Sequence, residues 1–90
     1  MSYSGFMFNV TDMKGMFGNA SSFNQPLNKW NVCKVTNMNR MFYDATSFNQ
    51  PLNKWNVSKV TYMYDMFEEA TSFNQPLHAP WYAVEQSDSE

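Results

Sequence analysis

The chain has 90 residues, of which 43% are hydrophobic and 18% aromatic, and its formal net charge is −2. This length fits one small domain, and so small a charge does not indicate a nucleic-acid partner. No apolar run reaches membrane-spanning length, nothing at the start resembles a signal peptide, and the single cysteine excludes an internal disulfide framework.

A repeat of 25 residues runs through nearly the whole chain. Its most regular part is Ser-Phe-Asn-Gln-Pro-Leu, which recurs unchanged at 22–27, 47–52 and 72–77. A fixed period of this length is typical of a solenoid, in which each unit buries its apolar face against the next unit.

The repeat predicts how the chain is divided. We expect an N-terminal partial coil over 1–9, a solenoid over 10–77, and a C-terminal cap with an acidic tail over 78–90. The three repeats of the solenoid are 10–34, 35–59 and 60–84, the last with a degenerate end.

The first half of each repeat predicts a short helix. In the middle repeat, Met38, Met41 and Phe42 follow the i, i+3, i+4 spacing that puts an apolar stripe on one helix face. Thr36 before them is suited to the N-cap. Gly15 and Gly18 interrupt the first repeat, so we expect its helix to be the most frayed.

The recurring hexapeptide of each repeat predicts a corner. Phe48 is expected to point inward, and Pro51 ends any helix. Asn24, Asn49 and Asn74 are predicted to stack into a ladder that joins the coils by hydrogen bonds, as are the three glutamines that follow them.

The second half of each repeat alternates polar and apolar residues and predicts a strand. Trp30 and Val32 would stack beside Trp55 and Val57, and the segment 5–10 would add another strand. Together these elements predict an α/β fold. It is a short right-handed, leucine-rich-repeat-like solenoid of 25-residue coils, with a parallel β-sheet on one face and short helices on the other.

The repeat slips by one residue near the end of the chain. Pro80 stands where a tryptophan is expected, and Trp81 follows it. Because proline in a sheet belongs at an edge, this segment is predicted to be an imperfect cap.

The unit from Trp55 to Leu77 carries a family resemblance. Its pattern, Trp-Asn-Val-Ser-Lys-Val-Thr-x-Met-x-x-Met-Phe-x-x-Ala-Thr-Ser-Phe-Asn-Gln-Pro-Leu, resembles the repeat of BspA-like bacterial surface proteins, also known as a mycoplasma lipoprotein repeat. The resemblance covers roughly residues 7–77. It implies a protein of the cell surface or the extracellular space, with a role in adhesion and no shared catalytic residues.

No residue set predicts catalysis, a cofactor or a metal site. His78 takes the position that Asn28 and Asn53 have in other repeats, so it is expected to be a solvated turn residue. Cys33 takes the outward position of Ser58, and the sequence fixes no histidine or other basic partner for its thiol. We therefore expect a protein that is not an enzyme and has no cofactor.

A strip of basic and amide side chains on the strand face is the candidate binding surface. Its members are Lys29, Asn31, Lys34, Lys54, Asn56 and Lys59. This strip is predicted to bind an acidic protein surface or a glycan, without inserting into a membrane.

Self-assembly is the alternative function. The ends of a solenoid expose apolar cross-section, and one chain could stack head-to-tail on the next into oligomers or filaments. The candidate self-association residues are Phe6, Met7, Phe8, Trp81 and Tyr82.

Overall fold

The computed structural model describes residues 7–77 and Trp81. In these residues the backbone is a succession of tight turns, with the longest turn segments at 14–19, 39–44 and 64–69. Among the described residues, Trp81 alone has helical conformation, and strand pairing is limited to two isolated parallel bridges, Asp12 to Asn37 and Asn37 to Tyr62. The predicted α/β solenoid, with helices on one face and a parallel sheet on the other, is therefore wrong for the described chain.

The coils nevertheless stack at the period of the repeat. Alternate N–H groups of one coil donate to carbonyl oxygens of the next coil, 24 residues later, at 2.7 to 2.9 Å. The first junction joins Met13 to Asn37, Gly15 to Asn39, Phe17 to Met41, and Asn19 to Tyr43. The second joins Met38 to Tyr62, Arg40 to Tyr64, Phe42 to Met66, and Asp44 to Glu68.

The N–H groups between these donors close turns within the same coil. Met16 donates to the carbonyl of Met13, and Gly18 donates to that of Gly15. The first two turn segments thus divide their backbone donors between their own coil and the next. An α-helix would direct all of these donors along a single axis within one coil, so the apolar pattern arises here from repeated turns.

Left-handed residues explain why no helix forms in these turn segments. Gly15, Arg40 and Asp65 stand at the same position of successive coils, with φ of 62°, 55° and 53°. A second such position, four residues on, holds Asn19, Asp44 and Glu69, with φ of 58° to 63°. A left-handed residue ends a right-handed helix. Gly15 is therefore the residue best suited to its position, and the expectation that it frays a helix is wrong.

Thr36, predicted as an N-cap, instead joins two coils. Its N–H and its hydroxyl both donate to the carbonyl of Thr11, at 2.8 and 3.2 Å. Thr61 repeats this contact on Thr36 one period later.

The predicted strands are connectors between turns. The backbone N–H of Trp55 donates to the carbonyl of Leu52 at 3.1 Å. The backbone N–H of Val60 donates to the carbonyl of Val57 at 3.0 Å. The inward direction of the apolar residues is as predicted, since Trp55 and Val57 are both buried.

Phenylalanine columns run through the core of the stack. One column contains Phe17, Phe42 and Phe67, and the other contains Phe23, Phe48 and Phe73. Ring centroids in a column lie 5.5 to 5.9 Å apart, and the two columns meet at 4.3 Å in every coil. These offset stacks add to the hydrophobic contribution of burial.

Trp81 lies in the core despite the one-residue slip of the sequence. Its ring stacks on Trp55 at 6.2 Å and contacts Phe67 at 6.3 Å. Its indole N–H is buried and has no hydrogen-bond acceptor among the described residues, whereas that of Trp55 donates to the carbonyl of Leu27 at 2.8 Å. The slip thus preserves the stacking but not this hydrogen bond. The remainder of the predicted cap and tail, 78–80 and 82–90, lies outside the described residues.

Candidate interaction surface

An asparagine ladder fixes the corner beside the connectors. The Oδ1 of Asn24 accepts the N–H of Asn49 at 2.9 Å, and the Oδ1 of Asn49 accepts the N–H of Asn74 at 2.8 Å. The predicted ladder is confirmed for the asparagines. The glutamines differ, because Gln50 and Gln75 donate to the asparagine of the preceding coil.

Asparagine side chains also shape each connector. The Oδ1 of Asn31 accepts the N–H of Cys33, and that of Asn56 accepts the N–H of Ser58, at 3.1 and 3.0 Å. Such a bond replaces a backbone turn and holds the chain without a sheet. These two predicted binding residues therefore have a structural role in addition to any ligand contact.

A groove of about 220 Å³ crosses two successive connectors. It is lined by Asn28, Lys29, Trp30, Asn31, Val32, Lys54 and Asn56. The structure thus brings together four of the six predicted binding residues, namely Lys29, Asn31, Lys54 and Asn56. We call these seven lining residues the connector groove.

The other two predicted lysines lie outside the connector groove. The Nζ of Lys34 lies 4.2 Å from the centroid of the Phe8 ring, a cation–π contact, and the side chain is half-buried. Lys59 is exposed one period later.

Asn28 and Trp30 belong to the connector groove although the basic and amide strip predicted from the sequence does not include them. The Nδ2 of Asn28 donates to the Oδ1 of Asn53 at 3.1 Å, and its own Oδ1 accepts the N–H of Lys54 at 3.0 Å. Trp30 is half-buried, unlike Trp55. The sequence does indicate that Trp30 is more exposed than Trp55. Gly5 stands one period before Trp30 and has no side chain that could cover its ring.

Three of the five self-association candidates are described. Met7 is half-buried and packs against the core, and Phe8 is 40% exposed. Trp81 is only 3% exposed, so its ring is already occupied within the chain. Phe6 and Tyr82 lie outside the described residues.

Comparison with protein families identifies one that covers this repeat. The family is described as "Mycoplasma protein of unknown function, DUF285", and its model matches residues 6–89. The chain belongs to this family. Comparison with curated proteins and with solved structures finds no match for it.

In this mycoplasma-type repeat, the turn segments have a different charge from the connectors. Arg40 lies 3.7 Å from the carboxylate of Asp65, and its guanidinium lies 5.7 Å from the ring centroids of Tyr43 and Tyr64. Glu68 and Glu69 are exposed on the same side. The turn side of the last coil is therefore acidic, whereas the connector groove is basic.

A metal ion in the described part of the chain would be held by histidine, cysteine or acidic side chains. Within it, no three histidine, cysteine or acidic residues lie close enough to hold an ion. Cys33 is a free, half-buried thiol, and His78 lies outside the described residues. None of the helical structure in residues 7–77 and 81 is long and apolar enough to cross a bilayer.

Proposed function

We propose that this chain is a non-enzymatic binding module whose connector groove holds an acidic polymer, above all an acidic stretch of a partner protein. The observation that carries the proposal is the alignment of Lys29 and Lys54 on successive coils, with Asn31 and Asn56 beside them in one groove. Repetition of the same donors along a stack suits a ligand that is itself repetitive.

The spacing of the coils supports an extended ligand. Equivalent phenylalanine rings of neighbouring coils have centroids 5.5 to 5.9 Å apart. Alternate residues of an extended peptide are about 6.6 Å apart, so its same-side carboxylates can reach successive lysines. Both lysines are exposed, and the half-buried Trp30 side chain in the same groove offers an apolar contact.

The family supports the setting of this function. The resemblance of the unit to BspA-like surface repeats favours display on a cell surface and adhesion to another protein or to a glycan, and the matched mycoplasma family covers the same repeat. An acidic glycan offers the same negative charges to the two lysines as an acidic peptide does.

A binding titration tests the proposal. We expect a fluorescent poly-glutamate peptide to bind the full chain, with an affinity that falls as salt rises because the contacts are exposed ion pairs. Lys29→Glu combined with Lys54→Glu should weaken binding at least tenfold. A sulfated glycan used as a second probe shows whether glycans are preferred.

A charge-matched comparison separates the groove from net charge. Lys54→Glu and Lys14→Glu change the charge of the chain equally, and both lysines are exposed. Only Lys54→Glu should weaken binding. Equal weakening by the two variants, or unchanged binding by the double variant, would reject the connector groove as the site.

A further inference from the structure

The two ends of the coil stack carry complementary backbone groups. At each coil junction, four alternate N–H groups of one coil donate to four carbonyls of the next coil. On the last coil, the same four donors have no acceptor among the described residues; they belong to Met63, Asp65, Phe67 and Glu69. On the first coil, the equivalent four carbonyls have no donor there; they belong to Asp12, Lys14, Met16 and Gly18.

The geometry points to a second copy of this chain as the partner of these groups. The copies stack head-to-tail, so that the last coil of one copy lies against the first coil of the next. The 24-residue offset within the chain fixes the register of the contact. Met63 donates to Asp12 of the next copy, Asp65 to Lys14, Phe67 to Met16, and Glu69 to Gly18.

The side chains at the two ends support the same register. Met41 is fully buried between two coils, whereas Met16, at the same position of the first coil, is 44% exposed. Phe42 is fully buried, whereas Phe17 and Phe67 at the ends of its column are only half-buried. A second copy would continue the column and cover Met16, Phe17 and Phe67.

Charge favours a copy of this chain over an unrelated apolar partner. Between the middle and last coils, Arg40 and Asp65 already form an ion pair at 3.7 Å. The last coil adds Glu68 and Glu69, both exposed. In this register, Gly15 of the incoming copy takes the position one repeat after Asp65. Lys14, which precedes it, is therefore the cation of the incoming copy that lies nearest to the acidic last coil.

The polarity of the ends makes the assembly open. The four alternate donors face one way along the stack, and the donors of Thr36 and Thr61 face the opposite way. Each end therefore matches the other end in this register and does not match a copy of itself. A head-to-tail contact of this kind does not close into a dimer. In the count of the repeat, positions 82–90 of one copy coincide with 7–15 of the next, so only one of these two segments can take the shared positions in the assembly.

Light scattering after size exclusion tests the assembly on the full chain. We expect the average mass to rise with protein concentration and to pass the dimer without a plateau. Met16→Glu should return the chain to a monomer, because the added carboxylate would meet the acidic last coil. Ser47→Glu adds the same charge at an exposed position of the middle coil and should assemble normally.

A mixing experiment tests the polarity and shows that the variant is folded. The Met16→Glu chain keeps an intact last coil, so a small fraction of it should cap wild-type stacks and lower their average mass. A strict monomer or a fixed dimer at all wild-type concentrations would overturn the inference, as would a Met16→Glu chain that leaves wild-type stacks unchanged. The variant retains Lys29 and Lys54, so its poly-glutamate binding reports separately on the connector groove.

Discussion

The middle coil and the first coil have nearly the same sequence but not the same environment. Phe42 and Phe48 in the middle coil are fully buried, whereas Phe17 and Phe23 at the same positions of the first coil are half-buried. The difference lies in the number of neighbouring coils. Stability in such a stack is a sum over coil junctions, so the same substitution should have different costs in the two coils.

The largest expected difference concerns the phenylalanine column. Phe42→Ala removes a ring that stacks on Phe17, Phe48 and Phe67, and should lower the free energy of unfolding by about 3–5 kcal/mol. Phe17→Ala removes a half-buried ring and should cost roughly half as much, since less apolar area is lost. Urea unfolding of both variants measures the difference.

Phe42→Leu serves as a control for this comparison, because it keeps most of the apolar volume and should cost clearly less than the alanine variant. If Phe17→Ala and Phe42→Ala had equal costs in a monomeric sample, burial between two coils would not be the source of stability. In an assembled sample the two costs should converge, because Phe17 then has a neighbour on both sides.

Sequence period predicts the stacking and the core, but not the backbone conformation. Spacing alone was enough to place Phe48, Trp55 and Val57 inside, because inward positions recur with the repeat whatever the local fold. It could not separate a helix from a chain of turns, since both bring every third or fourth residue to one side. The decisive left-handed residues include Arg40 and Asp65, which give no glycine signal.

The candidate site was predictable to a similar degree. The outward alternation of the connectors pointed to Lys29 and Lys54, and the structure places both in one groove. The repeat also made Trp30 look equivalent to Trp55, and this concealed its exposure at the start of the stack. The repeat pattern predicts the features that all coils share. The exposure of side chains in an end coil depends instead on the neighbouring coil that it lacks.

The asparagine ladder gives a second, smaller contrast between an inner and an outer coil. Asn49→Ala removes the acceptor of the Asn74 N–H and of the Gln75 amide, at 2.8 and 3.0 Å, and should cost about 1–2 kcal/mol. Asn74→Ala should cost less than about 0.5 kcal/mol, since its side-chain oxygen accepts no bond among the described residues.

The matched control for the ladder is Asn49→Asp, which keeps the accepting oxygen. It should recover most of the stability lost in the alanine variant, as measured by the urea midpoint. Equal losses for Asn49→Ala and Asn74→Ala would show that the ladder contributes nothing beyond solvated amides.

The smallest expected effect concerns the left-handed positions. The first coil has a glycine at one of them, and glycine adopts this conformation without strain. Gly15 has φ of 62°, and a methyl group added to its Cα would meet no atom within 4 Å, so Gly15→Ala introduces backbone strain without a steric clash. A non-glycine residue in this conformation costs about 1–2 kcal/mol, and the reduced freedom of the unfolded chain returns part of it. We expect urea unfolding to show a net loss of about 0.5–1 kcal/mol for Gly15→Ala.

The reverse change in the last coil should have the opposite sign. Glu69 has φ of 61°, is exposed, and forms no ion pair among the described residues. Glu69→Gly should therefore raise the unfolding free energy by about 0.5 kcal/mol, because relief of strain exceeds the entropy cost of glycine. Glu68→Gly, at an exposed position without a positive φ, is the control and should destabilise the chain. If both glycine variants were destabilising to the same extent, the turn segments would not have the left-handed geometry that prevents helix formation.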